Sequence, residues 1–384
     1  MSTMLMKRPL SLRLSMGSLL ILWCVVAAFP IFWVTVMSFK SPMDAFDSNA
    51  AHVLIGPKTI ADGHGVSMLA VLLAIAVAWG AIRLGGRTLP RIVRSRVPEG
   101  LHLFGWCVGA LILALGVLVV FFGLLPLVLD LLNPHLGVLG RDVFGLTGEH
   151  YRTVWVDRGF ANNFRNSLVV TLGVVVVSLT VGTLAGYGLA RSRTNLSFWI
   201  LIVALIFRAL PHSVLVAGYL PVFVNSAEWL EPILGDHAPT LYGKPMAVIA
   251  VLVAINQPFT IWMLNSFFQS IPAELDEAAR VDGCTHLQAF RKVIMPVMWP
   301  GVITTGLFSF LLGYNDFLVT SLLLDAQNQT MVPAIAGMFS RETTMTDQVV
   351  AVAAAVSITA PLLMLVMIFQ RQIVSGLTAG AVKG

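Results

Sequence analysis

The chain has 384 residues, of which 57% are hydrophobic and 11% charged, and its formal net charge is +5. A soluble domain carries about 25% charged residues, so too few charges are present to cover a water-facing surface, and the mean hydropathy of +0.85 points to lipid as the solvent. The excess of base then reads as membrane topology and not as a nucleic-acid footprint, and three dispersed cysteines, Cys24, Cys107 and Cys284, give neither a disulfide framework nor a metal-ligand spacing.

In lipid the backbone must satisfy its own hydrogen bonds, so spans must be helices of about 20 mostly apolar residues. Eight are predicted in chain order: 19–39, 66–84, 101–129, 164–189, 198–224, 246–267, 296–324 and 349–369. The first follows Lys7, Arg8 and Arg13 and exceeds a signal-peptide core in length, so it is read as a spanning helix that also directs insertion. With alternating spans, the inward segments hold Lys7, Arg8, Arg13, Arg83, Arg87, Arg91, Arg94, Arg96, Arg191, Arg193, Arg280, Arg291, Lys292, Arg371 and Lys383, a majority of the 24 basic residues. That bias places both termini in the cytoplasm. The cluster from Arg83 to Arg96 fits a topology anchor or a site for anionic lipid headgroups. The pairs Gly182/Gly186 (with Gly188 beyond) and Gly105/Gly109 offer small surfaces for close helix contact.

Polar groups within spans are costly and face protein or a wet cavity. Arg208 and His212 flank Pro211 in the fifth span, Asn256 and Gln257 precede Pro258 in the sixth, and Asn315 and Asp316 lie in the seventh. Prolines free backbone groups and bend helices. These side chains suit a substrate path or an interhelical polar network, for instance Arg208 with Asp316, and the two roles are compatible. The phosphate-binding pattern GxxxxGK[ST] is absent, since Gly243-Lys244 is followed by Pro245, and no HExxH zinc pattern occurs.

Between the sixth and seventh spans the chain reads Ile271-Pro272-Ala273-Glu274-Leu275-Asp276-Glu277-Ala278-Ala279-Arg280-Val281-Asp282-Gly283. Pro272 suits a first helical turn. Glu274, Asp276 and Glu277 suit the positive end of the helix dipole, and Asp276 and Arg280 are spaced for a pair. Gly283 suits the stop. A short, charged, non-spanning helix is predicted. A second helix through Leu287, Phe290 and Arg291 would brace it, ending where Pro296 opens the next span.

This stretch resembles the EAA loop of permeases in binding-protein-dependent ABC importers, whose pattern is EAA, three residues, Gly, nine residues and I-x-L-P. Here it is Glu277-Ala278-Ala279, then Gly283, then Val293-Ile294-Met295-Pro296, with Val and Met replacing Ile and Leu. Segments 30–40, 150–155, 166–168 and Tyr314-Asn315-Asp316-Phe317 are similar to elements of the smaller maltose-type permease subunit. The resemblance implies an all-α integral membrane fold: a six-helix permease core with a two-helix insertion. It divides the chain into 1–42 with the first span, the insertion 43–144, and the core 145–384 with the coupling loop 269–296. It implies that Glu277, Ala278, Ala279, Asp282, Gly283 and Pro296 couple to an ATPase, and that the chain carries no cofactor, ATP and Mg being bound by the partner. The implied partners are a second homologous permease, two ATPase subunits, a periplasmic or lipid-anchored substrate-binding protein and membrane lipid. The implied cargo is a sugar, glycoside or polyol crossing the bacterial inner membrane by alternating access. A secondary transporter using Asp316 or His212 as a proton site is the competing class, and a membrane scaffold is a third.

Overall fold

Among the described residues, six helices are long and apolar enough to cross a membrane: Leu14–Ser38, Met68–Gly86, Phe160–Arg191, Pro245–Ser270, His286–Asn315 and Met345–Gln370. They are seen in a computed structural model that describes residues 10–88, 95, 109, 112, 113, 115–117, 119–132, 135, 137–192, 194–208, 212–340 and 344–381. Six of the eight predicted spans are therefore matched. The predicted span 101–129 is described in part, at 109, 112, 113, 115–117 and 119–129, with helical backbone over Val120–Leu124 and Leu125–Leu132. Lys7, Arg8, Arg91, Arg94, Arg96, Gly105, Cys107, Arg193, Arg341 and Lys383 lie outside the described residues. Of the predicted span 198–224, the described parts are the helices Asn195–Arg208 and His212–Val224, and residues 209–211 between them lie outside the described residues.

Met1–Tyr151 with Thr343–Ala353 form one unit. Its elements are α1 (Leu10–Ser38), α2 (Pro42–Ala45), α3 (Ala50–Ile55), α4 (Pro57–Ala61), β1 (Gly65–Ser67), α5 (Met68–Arg83), α6 (Leu125–Leu132), β2 (Asp142–Gly145) and α7 (Glu149–Arg152). Strands β1 and β2 pair antiparallel, Gly65 opposite Gly145 and Val66 opposite Phe144. The chain is mostly helical, as expected, and residues 42–67 and 142–145 add a small sheet and three short helices that the apolar runs do not reveal. The strands are too short for an alternating pattern to register in the sequence. Around them sits a polar knot. Lys40 is fully buried, and its Nζ donates to the carbonyls of Leu54 (2.9 Å) and Gly145 (2.6 Å). Asp44, also fully buried, accepts from the Thr59 N–H at 2.6 Å and the Thr59 hydroxyl at 2.7 Å. Burial lowers the pKa of Lys40, against the opposing pull of Asp44. Gly56, at φ +76°, turns the chain between α3 and α4, and a side chain there would press on the Gly145 carbonyl and Lys40 Nζ.

Arg152–Glu342 with Ala354–Gly384 form the second unit. It contains α8 (Phe160–Arg191), α9 (Asn195–Arg208), α10 (His212–Val224), α11 (Ser226–Leu234), α12 (Pro245–Ser270), α13 (Glu274–Val281), α14 (His286–Ala289), α15 (Met295–Asn315), α16 (Leu318–Leu323) and α17 (Met331–Ser340), and α18 (Met345–Ala381) ends within it. Its core is built by α8, α12 and α15. Val170, Val174, Val251 and Leu252 pack in one buried cluster, and Leu264, Phe268, Ile294 and Met298 in another. The glycine pair behaves as expected: a side chain at Gly182 would collide with Thr260, and one at Gly186 with the Asn265 backbone, so the two helices touch there. Gly188 meets nothing within 4 Å and is not part of the contact.

Two helix boundaries in this unit differ from expectation. Pro296 does not open a span: α14 runs through a π-type turn, Phe290–Ile294, into α15, giving one helix from His286 to Asn315. The turn lengthens the ladder by one residue, with the Met295 N–H reaching the Phe290 carbonyl, immediately before the proline that has no N–H to give. At the other end the helix stops at Asn315 instead of 324, because Asp316 adopts extended backbone (ψ 127°). Its carboxylate accepts the Thr320 N–H at 2.9 Å, helping to start α16.

Candidate functional site

The helix predicted at 272–283 forms as α13, beginning at Glu274, so Pro272 precedes the first turn instead of occupying it. Gly283 ends it at φ +88°. The Cys284 N–H reaches back to the Ala279 carbonyl (3.0 Å) and the Gly283 N–H to that of Arg280 (3.1 Å), the paired bonds of a Schellman stop. A Cβ at Gly283 would meet nothing within 4 Å, so the glycine is needed for its backbone conformation and not for space. Thr285 then caps α14 through a capping box with Gln288.

The expected pair of Asp276 with Arg280 does not form as the helix's own lock. Asp276 turns inward instead. Its carboxylate accepts from Tyr187 Oη at 2.6 Å and from Arg191 Nε at 2.7 Å, both on the last turns of α8. The same guanidinium donates to the carbonyls of Phe268 (3.2 Å) and Ile271 (3.3 Å), at the end of α12 where helical carbonyls lack partners. The Tyr187 ring packs against Phe268 and Phe290, with centroids 5.4 and 4.8 Å away. One arginine thus joins three elements, and Asp276 also sits at the positive end of the α13 dipole. An intrahelical pair exposed to water gains only a few tenths of a kcal/mol; this partly buried, charge-assisted bond is the stronger option. Sequence reasoning missed Arg191 and Tyr187. Arg191 had been counted only as a topology marker, and no local spacing relates either residue to a helix some 85 positions on.

With Asp276 and the 5% exposed Ala279 turned in, the outer face of α13 presents Glu277, Ala278 and Arg280. Two apolar side chains stand out beside them, Val281 at 87% exposure and Leu287 at 70%. Glu277, Arg280, Val281, Cys284, Thr285 and His286 line an open groove of about 730 Å³. Asp282 is exposed at the C-cap, and Pro296 is exposed as the second residue of α15. The sequence motif is therefore brought together as one surface, apart from Ala279, which faces the core, and Pro296, which lies farther along.

The intramembrane polar residues divide differently. Asn256, 5% exposed, donates to Ser309 Oγ at 2.7 Å, joining α12 to α15. Gln257 Nε2 donates to the Ser178 carbonyl at 3.4 Å, while Gln257 Oε1, Ser178 Oγ and Thr171 Oγ1 find no partner among the described residues. Asn315 is exposed at the end of α15, and Asp316 accepts from the α16 backbone as above. The side chains of Arg208 and His212 lie outside the described residues, and with them the expected Arg208–Asp316 pairing.

Residues 178–378, which include the whole α13 surface, match the model of the family described as binding-protein-dependent transport system inner membrane component. The chain is 34% identical over 62% of its length to the diacetylchitobiose uptake system permease protein DasC of Streptomyces coelicolor, covering 82% of that protein. It is 32% identical over 62% of its length to the trehalose transport system permease protein SugB of Mycobacterium tuberculosis, covering 83% of it. To the maltodextrin transport system permease protein MdxG of Bacillus subtilis it is 30% identical over 62% of its length, covering 81%. The latched, capped helix between two membrane-crossing helices, and these matches across it, make the chain a multi-pass membrane protein belonging to the family of binding-protein-dependent transport system inner membrane components.

Proposed function

We propose that the chain is the permease subunit of an ATP-driven importer that carries a sugar, glycoside or polyol into the cytoplasm. The cargo class is supported by the three relatives named for diacetylchitobiose, trehalose and maltodextrin uptake. The mechanism is alternating access, with Glu277, Ala278, Asp282 and Gly283 forming the face that an ATPase grips, Ala279 seating it and Pro296 following it. The observation that carries this is the α13 surface: an exposed Glu277–Ala278 face, held from behind by Asp276 on Arg191 and Tyr187. ATP and Mg belong to the ATPase. The assembly has two ATPase copies, a second homologous permease and a periplasmic or lipid-anchored binding protein, in the bacterial inner membrane. Eight spans, with both termini inside and the insertion at 43–144, remain the topology proposed.

Asn256, Gln257, Asn315 and Asp316, with Arg208 and His212, are proposed for the substrate path. The unpartnered oxygens near Gln257 and Ser178 favour a wet cavity there. The test is uptake by the chain reconstituted with its cognate ATPase, second permease and binding protein. Uptake requires ATP, and Glu277→Lys abolishes the coupling of hydrolysis to uptake while membrane insertion persists. Uptake by the purified chain without an ATPase would refute the assignment in favour of a secondary transporter.

A further inference from the structure

Helix α8 is unusual among the long helices of its unit. It runs 32 residues with no internal proline, whereas α12, α15 and α18 carry Pro258, Pro300 and Pro361. Proline is the common cause of helix bending, so α8 is the stiff member, about 48 Å long at 1.5 Å per residue. Three of its four glycines, Gly173, Gly182 and Gly186, are braced by Ile249, Thr260 and the Leu264–Asn265 region of α12, which packs along its side, and the fourth, Gly188, lies within its last turn.

Both of its ends are tied. At the C-terminal end, Tyr187 and Arg191 hold Asp276 of α13. Near the N-terminal end, Asn163 Nδ2 donates to the Gln329 carbonyl at 2.9 Å and Asn166 Nδ2 to the Gln327 carbonyl at 3.1 Å. Ser167 Oγ accepts the Met331 N–H at 2.8 Å. These three grip the backbone of the segment joining α16 to α17. The segment is further shaped by Asn328, which donates to the Gly243 carbonyl. Side chains reading backbone groups hold the segment's position whatever its own side chains are.

We infer that α8 is a rigid rod linking the coupling surface to the segment 325–330, with Arg191 transmitting force at one end and Asn163 and Asn166 delivering it at the other. A push on α13 alone has another route, through residues 271–273, but that link is a short non-helical stretch. The Arg191–Asp276 bond bypasses it. The segment 325–330, at the far side of the membrane from α13, then moves when nucleotide moves the coupling surface. Arg191 is a positioning residue here and touches no substrate. This inference rests on the coupling role proposed for α13.

The test uses the assembled importer with Cys24, Cys107 and Cys284 replaced by serine and Gln327→Cys as reporter, since Gln327 is exposed and only its carbonyl is used. The readout is the labelling rate by a membrane-impermeant maleimide, with and without a non-hydrolysable ATP analogue. With α8 intact, nucleotide changes the rate. Arg191→Ala, isolated with ATPase in excess, loses that change, and Arg191→Lys, which keeps the charge without the fork, restores part of it. The double variant Asn163→Ala/Asn166→Ala also loses it, although it lies at the opposite end from the coupling surface and still co-purifies with the ATPase. A nucleotide response that survives in either variant overturns the rod, as does a reporter that never responds in the intact chain. Loss of ATPase binding by Arg191→Ala, even with ATPase in excess, overturns transmission and leaves the arginine only as a brace for the docking surface. Failure of the intact chain to bind the ATPase overturns the coupling role itself, which separates that failure from failure of the rod.

Discussion

Gly283 offers the cleanest test of how α13 is built. Its φ of +88° is a conformation that costs a residue with a Cβ about 1–2 kcal/mol, and the open space around it removes any steric contribution from neighbours. Gly283→Ala therefore charges that backbone cost alone. The chain relieves it by unwinding the stop, which breaks the bonds from Cys284 to Ala279 and from Gly283 to Arg280 and displaces the Glu277 face. A cost of 1–2 kcal/mol spent on reforming the bound shape lowers affinity for the ATPase by roughly 5–30-fold. Gly283→Asn enters the left-handed region more readily and should lose clearly less. The assay is equilibrium binding of the purified ATPase to the permease complex in nanodiscs, with insertion checked by protein yield in the membrane fraction. Equal losses for Ala and Asn, or no loss for either, would refute the backbone argument, because only conformation distinguishes the two at an open site.

Other outcomes follow from the same contacts. Asn256→Ala removes the bond to Ser309, and interhelical bonds of this kind average about 0.6 kcal/mol. Ser309 keeps its bond to the Thr305 carbonyl, so stability against denaturing detergent should drop only slightly, and because the amide is also proposed for the substrate path, uptake competition should show altered substrate selectivity. Asp316→Ala removes the acceptor for Thr320 N–H and should cost about 1 kcal/mol of local helix stability, altering transport without releasing the ATPase in co-purification. In the first unit, burial lowers the pKa of His150 from 6.5, with its bond to the Lys40 carbonyl and Glu149 opposing and His64 reinforcing the shift. The folded state then binds fewer protons than the unfolded one, so stability is complete above about pH 6.5 and falls as pH drops toward the lowered value. Protection factors of the β1–β2 amides, corrected for the slower intrinsic exchange, should fall on acidification, and His150→Gln should remove that fall.

Much of this was legible in the sequence because it is local. Six spans register as runs of apolar residues, and the start and stop of α13 follow from acidic residues in its first turn and a glycine after its last. What stayed hidden is long-range. Asp276 and Arg280 have the spacing of a pair, yet Asp276 binds a partner brought close only by the packing of α8 on α12. The end of α15 at Asn315 was hidden for a different reason: the apolar run continues to Leu324, and a single carboxylate that accepts a backbone N–H decides the break. The π turn before Pro296 leaves no compositional trace, since a proline at the start of a helix and one just after a bulge read alike.

The insertion shows why apolar runs alone misjudge a segment. Its 43–67 and 138–144 stretches carry too few large apolar residues for a core of their own, and small domains usually need some other device to hold together. Here the device is polar. Lys40 reaches from the end of α1 to carbonyls in α3 and β2, and Asp44 in α2 gathers the hydroxyl and N–H of Thr59 in α4. Each fully buried charge is repaid by donors or acceptors from elements far apart in the chain, which is the condition under which burying it is tolerable. Those partners all lie within the first unit. The knot draws on residues to either side of the proposed insertion, Lys40 before it and Gly145 after it, so the insertion's two ends are held side by side while the motif spacing from Glu277 to Pro296 is kept downstream.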